Sequence, residues 1–119
     1  MPVGGHIEAN ETFDEALIRE VKEETNLGIK ILSKDEIPWG GNVKKNLAMP
    51  FHVNVHSVGD HDHCSLFYVC KALNAEELKI NKEVKNYRWF AKEELDEEII
   101  PSDVRMIGLK AFEIFEREF

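Results

Sequence analysis

The chain has 119 residues, 43% of them hydrophobic and 32% charged, with a formal net charge of −8. That length holds one domain spanning residues 1–119, and the composition excludes a disordered chain. No apolar run approaches the ~20 residues of a membrane span, and an acidic chain with scattered Lys and Arg excludes a sequence-independent grip on a nucleic-acid polymer.

Met1 to Val3 reads as the end of a strand broken by Gly4-Gly5, and this opening has neither the charged nor the apolar region of a signal peptide. Thr12 to Thr25 predicts a helix. Thr12 followed by Glu15 is a capping box, which satisfies free backbone N–H groups at a helix start. Phe13, Ala16, Leu17 and Val21 recur at helical spacing, and Asn26 with Gly28 close behind ends the run. Ile29 to Leu32 predicts a short strand. Asp35 to Lys45, holding Pro38, Gly40 and Gly41, is loop-like. Phe51, Val53 and Val55 alternate with His52, Asn54 and His56, which predicts a strand with the apolar side buried and the histidines exposed. Gly59 to His63 reads as a turn. Leu66 to Leu73 is nearly continuous apolar sequence and predicts a central strand covered on both faces. Tyr87 to Ala91 predicts another strand, and Pro101-Ser102 opens an amphipathic helix to Phe119 with Val104, Ile107, Ala111 and Phe115 on one side. Strands mixed with two separated helices give an α/β (α+β) sandwich. Cys64 and Cys70 form no CxxC pair and read as reduced core thiols of a cytoplasmic protein.

Arg19, Glu20, Glu23 and Glu24 cluster on the first helix. At helical pitch the three glutamates share a sector of about 100°. Like charges so placed repel, and hard cations such as Mg²⁺ take carboxylate oxygens as ligands. Taken alone, the four residues also read as a solvated acidic face. The run Gly5 to Leu27 changes the weighing. It reads G-H-I-E-A-N-E-T-F-D-E-A-L-I-R-E-V-K-E-E-T-N-L and resembles the Nudix box, with Gly5, Glu11, Arg19, Glu20, Val21, Glu23, Glu24 and Leu27 in register. Asn26 stands where the family has Gly.

This resemblance to the Nudix hydrolase family implies an α/β/α sandwich with a mixed sheet. It implies an enzyme that cuts the diphosphate bond of a nucleoside diphosphate linked to another moiety, with Mg²⁺ or Mn²⁺ as cofactor and a small nucleotide as substrate. Glu20, Glu23 and Glu24 match the metal-binding carboxylates, Glu20 acting as the base in some members. The Gly4 carbonyl matches a backbone ligand, and Arg19 and Glu11 match a pair bracing the loop against the helix. Glu83, ahead of Trp89-Phe90, matches the place of a further acidic ligand or base. Family members carry more chain before the box than the four residues found here. The expectation is therefore an N-terminally shortened sheet whose open edge, near Met1 to Val3, pairs with a second copy. A catalytically silent Nudix-fold binding module is the alternative function.

His61 and His63 form an HxH motif whose rings share one side of a strand. A zinc site there lacks a clear third and fourth ligand, so a polar loop near the substrate or a plain turn is the expectation. His6, after the glycines, reads as structural.

Overall fold

A computed structural model describes residues 4–33, 38, 40–80, 91–97 and 100–118. Helix α1 spans Phe13–Thr25, and the capping box at its start is complete: the Glu15 carboxylate accepts from the Thr12 backbone N–H and the Thr12 hydroxyl accepts from the Glu15 N–H. Ala16 and Val21 form its buried stripe, joined by Thr25, whose hydroxyl donates to the Val21 carbonyl one turn back. Asn26 ends the helix in the left-handed conformation, φ 63°, and donates its backbone N–H to the Lys22 carbonyl. A side chain with a Cβ pays for that conformation unless, like Asn, it bonds locally. The Asn26 amide meets the Glu77 carbonyl at 3.1 Å. Asn26→Ala should therefore cost about 1–2 kcal/mol, and Asn26→Gly less, in urea unfolding. An alanine variant as stable as the parent would contradict this account of the helix end.

Strand β1, Ile29–Leu32, pairs antiparallel with β4, Val69–Ala72, while β2, His52–Ser57, pairs antiparallel with β3, Asp62–Phe67. Only Tyr68 separates β3 from β4, so one stretch of chain passes from the β2 hairpin to β1. The expected single strand covered on both faces is thus two strands, and their apolar residues are half-buried or exposed. The alternation in β2 also works the other way round. Val53 and Val55 are 51% and 66% exposed, whereas Asn54 and His56 are half-buried. The polar side of β2 is the inner one because His56 lies opposite His63, and His63 leans on His6 of the box loop. His52 is exposed, as expected.

Helix α2, Ser102–Glu118, follows the expected amphipathic run and packs on the short 3₁₀ segment Lys92–Asp96, whose Leu95 is buried against Gly108. Among the described residues, no helix is long and apolar enough to cross a membrane. The strand expected at Tyr87 to Ala91, apart from Ala91, and the edge contact expected at Met1 to Val3 lie outside the described residues.

Cys64 is exposed on β3, not a core thiol, whereas Cys70 on β4 is half-buried and burial pushes its thiol up to about 11. Thiolate, not thiol, is the nucleophile. An aromatic disulfide reagent at neutral pH should therefore titrate one thiol quickly in the folded protein and the second only on unfolding. Two equally fast thiols would overturn these placements.

Candidate active site

The box loop and α1 meet at Arg19. Its Nε donates to Glu11 Oε2 at 2.7 Å and its Nη2 to Glu11 Oε1 at 3.0 Å, a two-pronged contact suited to guanidinium and carboxylate. Nη2 also donates to the His6 carbonyl at 2.9 Å. The expected brace between loop and helix is in place. Hydrogen bonds from Arg19, and then from the Glu8 backbone N–H, hold the Glu11 carboxyl below the ordinary carboxylate range. The bonds to Glu11 and Glu20 in turn hold the guanidinium proton more tightly than usual.

The same Arg19 gathers two of the metal candidates. Its Nη1 donates to Glu20 at 2.9 Å and to Glu23 at 3.2 Å. Both glutamates, with Glu24, stand in the C-terminal half of α1, where the helix dipole disfavours negative charge, and Lys22 is the basic residue of that last turn. Helix stability alone would not choose carboxylates there.

Gly5 explains how the loop reaches them. A Cβ on Gly5 would lie 2.6 Å and 2.7 Å from the two carboxylate oxygens of Glu20. The Glu20 carboxylate therefore rests against bare backbone at a distance no other residue type permits. Gly4 beside it has φ 155° and open space around it. Hard oxygen donors such as three carboxylates on one helix face suit Mg²⁺ or Mn²⁺ and not a soft metal. Among the described residues, no three His, Cys, Asp or Glu side chains already converge on one metal position; a guanidinium is the cation that now joins Glu20 to Glu23. Glu83 lies outside the described residues.

The exit of α1 is fixed by the segment after β4. Gly28 N–H donates to the Asn74 side chain at 2.9 Å, Leu73 N–H to the Gly28 carbonyl at 3.0 Å, and Lys79 N–H to the Thr25 carbonyl at 2.8 Å. These bonds set the orientation of the glutamate-bearing helix relative to β1 and β4.

Two features escaped sequence reasoning. Arg19 was legible as a brace but not as the group tying Glu20 to Glu23, although its position one residue before Glu20 and four before Glu23 carries that signal. The approach of His6 to His63 joins residues far apart in sequence and has no local signature.

A capped helix with Glu20, Glu23 and Glu24 on one face, braced through Arg19 to a glycine loop and set on antiparallel strands, defines the class: the chain belongs to the Nudix family, whose NUDIX domain model matches residues 2–108. Among its relatives is nucleoside triphosphatase NudI of Escherichia coli O139:H28, 30% identical over 95 residues covering 77% of this chain and 61% of that protein. NudI of Shigella flexneri matches to the same extent. The chain thus spans about three fifths of the length of these curated relatives. In three dimensions it resembles the crystal structure of a hydrolase of the NUDIX family from Clostridium perfringens, with a TM-score of 0.82, 29% identity, and coverage of 97% of this chain and 81% of that one. The α/β fold is the Nudix fold.

Proposed function

We propose that the protein is a Mg²⁺-dependent hydrolase of the diphosphate bond in a nucleoside diphosphate carrying a further group. Nucleoside triphosphates are the substrates of first choice, because the NudI relatives are named nucleoside triphosphatases. The observation that carries this reading is the contact of the Glu20 carboxylate with the bare backbone of Gly5, beside Glu23 and Glu24. It gives a reason for keeping repelling carboxylates on one helix face.

In this reading Glu20, Glu23 and Glu24, with the Gly4 carbonyl, hold the divalent ion. When bound, that ion neutralises phosphate oxygens and lowers the pKa of water. A glutamate of the set, or Glu83, takes one proton from the attacking water, whose oxygen bonds to phosphorus as the bridging P–O bond breaks. Arg19 holds Glu20 and Glu23 in place and fixes the loop through Glu11 and the His6 carbonyl.

The test is a panel of nucleoside triphosphates, nucleotide sugars, ADP-ribose and dinucleoside polyphosphates with Mg²⁺, read by release of phosphate or monophosphate. Turnover should appear for at least one member and vanish in excess chelator. Turnover that persists in chelator would sink the metal mechanism. Mg²⁺ binding without turnover anywhere in the panel would favour a silent binding module.

A further inference from the structure

Four of the chain's five histidines gather at one place outside the carboxylate site. The ring of His63 on β3 stands 4.9 Å from that of His61, 5.3 Å from that of His6 and 5.7 Å from that of His56, centroid to centroid. His61 Nε2 and His63 Nε2 face each other at 3.1 Å. The far nitrogen of His61, Nδ1, lies 2.7 Å from Asp60 Oδ1.

We propose that His61 and His63 are the paired ligands of a nitrogen site for a late first-row divalent cation such as Zn²⁺, completed by His6 or His56. Three observations support it. Two ligands about 2.0–2.1 Å from one cation are about 3.3 Å apart at the tetrahedral angle and about 2.9 Å apart at a right angle. The observed 3.1 Å lies between these values. Secondly, Asp60 stands where a carboxylate orients a metal-bound imidazole: by accepting from Nδ1–H it leaves the Nε2 lone pair of neutral His61 directed at His63. Thirdly, the rings of His6 and His56 stand nearly perpendicular to the His63 ring, with His56 Nδ1 now 3.4 Å from Ser65 Oγ, which puts two further imidazoles beside the pair.

Without a cation, the two Nε2 atoms share one proton, donated by His63 and accepted by His61. Binding replaces that hydrogen bond with two N–metal bonds, and the His63 proton moves to Nδ1. Among the described residues no three such donors are already aimed at one metal position, so the site is a pair that recruits its third ligand. Its donors are imidazoles, which suit Zn²⁺, Ni²⁺ or Cu²⁺, whereas the neighbouring carboxylates suit Mg²⁺. The two sites are separate in chemistry yet share the Gly5-His6 loop, whose His6 carbonyl is held by Arg19.

The experiment is calorimetric titration of Zn²⁺ into the full chain in excess Mg²⁺, with Cu²⁺ electron paramagnetic resonance to count imidazole nitrogens. One equivalent should bind, and the Cu²⁺ spectrum should show nitrogen coupling. His63→Gln and His61→Gln should each abolish that coupling and weaken Zn²⁺ by more than about 100-fold, and Asp60→Asn by about 10- to 100-fold, the usual cost of losing an outer partner. Glu23→Gln should leave this Zn²⁺ binding unchanged. His61 and Asp60 lie on an exposed turn, so their variants test binding without disturbing the core, and thermal unfolding checks this. Absence of Zn²⁺ binding would overturn the proposal. So would binding that survives both histidine changes or is lost in Glu23→Gln, since the metal would then sit on the carboxylates.

Discussion

Glu24→Gln should lower hydrolysis by more than about 100-fold, beyond the usual cost of losing even an outer-shell partner of a bound metal, while the protein stays folded. The change keeps the side chain's shape and hydrogen-bonding length but removes its negative charge, which is what a hard cation requires. Glu24 is half-buried on the C-terminal turn of α1, where negative charge works against the helix dipole. The Gln amide keeps a hydrogen-bonding oxygen where the carboxylate had one, so the fold should survive the loss of charge. Activity measured against Mg²⁺ concentration, beside thermal unfolding, separates the two effects. A variant with parental turnover would remove Glu24 from the site, and one that failed to fold would show that its role is structural.

Gly5→Ala is expected to be nearly as damaging to activity, by a different route. The new Cβ would meet the Glu20 carboxylate oxygens at 2.6 Å and 2.7 Å, well inside van der Waals contact. What it meets is the far end of a long side chain, which can swing away. Folding should therefore lose little, but Glu20 can no longer rest on the loop beside Gly4. Metal affinity should fall about 10- to 100-fold, the scale seen when a ligand is mispositioned, and hydrolysis at low Mg²⁺ should fall with it. Raising Mg²⁺ should restore part of the activity. If instead unfolding temperature collapsed while metal affinity held, the glycine would be serving the loop's fold and not the carboxylate.

Local chemistry in the sequence was enough to place most of this site. The capping box, the apolar stripe at Ala16 and Val21, and the left-handed stop at Asn26 each follow from contacts within a few residues, and α1 appears where they put it. Arg19 and Glu11, eight positions apart, are joined as the box register implied. Side assignment in β2 failed for a reason beyond local pattern. A period of two says that two faces differ but not which one turns inward. Here the histidine-bearing side does, because His63 and His6 lie there, and Val53 and Val55 face out. The apolar run from Leu66 likewise could not reveal that the chain changes partner at Tyr68, since hydrophobicity carries no record of which strand accepts each hydrogen bond.

The attachment between the end of α1 and residues 73–79 has a bearing on how much change the protein can absorb. Of its bonds, those from Leu73 and Lys79 run from main chain to main chain, and the carbonyl of Glu77 receives the Asn26 amide. Asn74 contributes through its side chain, whose oxygen accepts from the Gly28 N–H. Backbone groups are the same whatever residue bears them. Ala75, Glu76 and Lys79 are exposed and can be exchanged for other residues without loosening the tether, whereas the Glu77 carboxylate accepts from the Asn74 side-chain amide at 2.6 Å and holds it in place. Mutational drift, or the grafting of a tag or new binding epitope, is thus accommodated in this segment a few residues from the glutamate helix. Asn26 and Asn74, the latter oriented by Glu77, are the exceptions, the side chains on which the geometry of that helix exit depends.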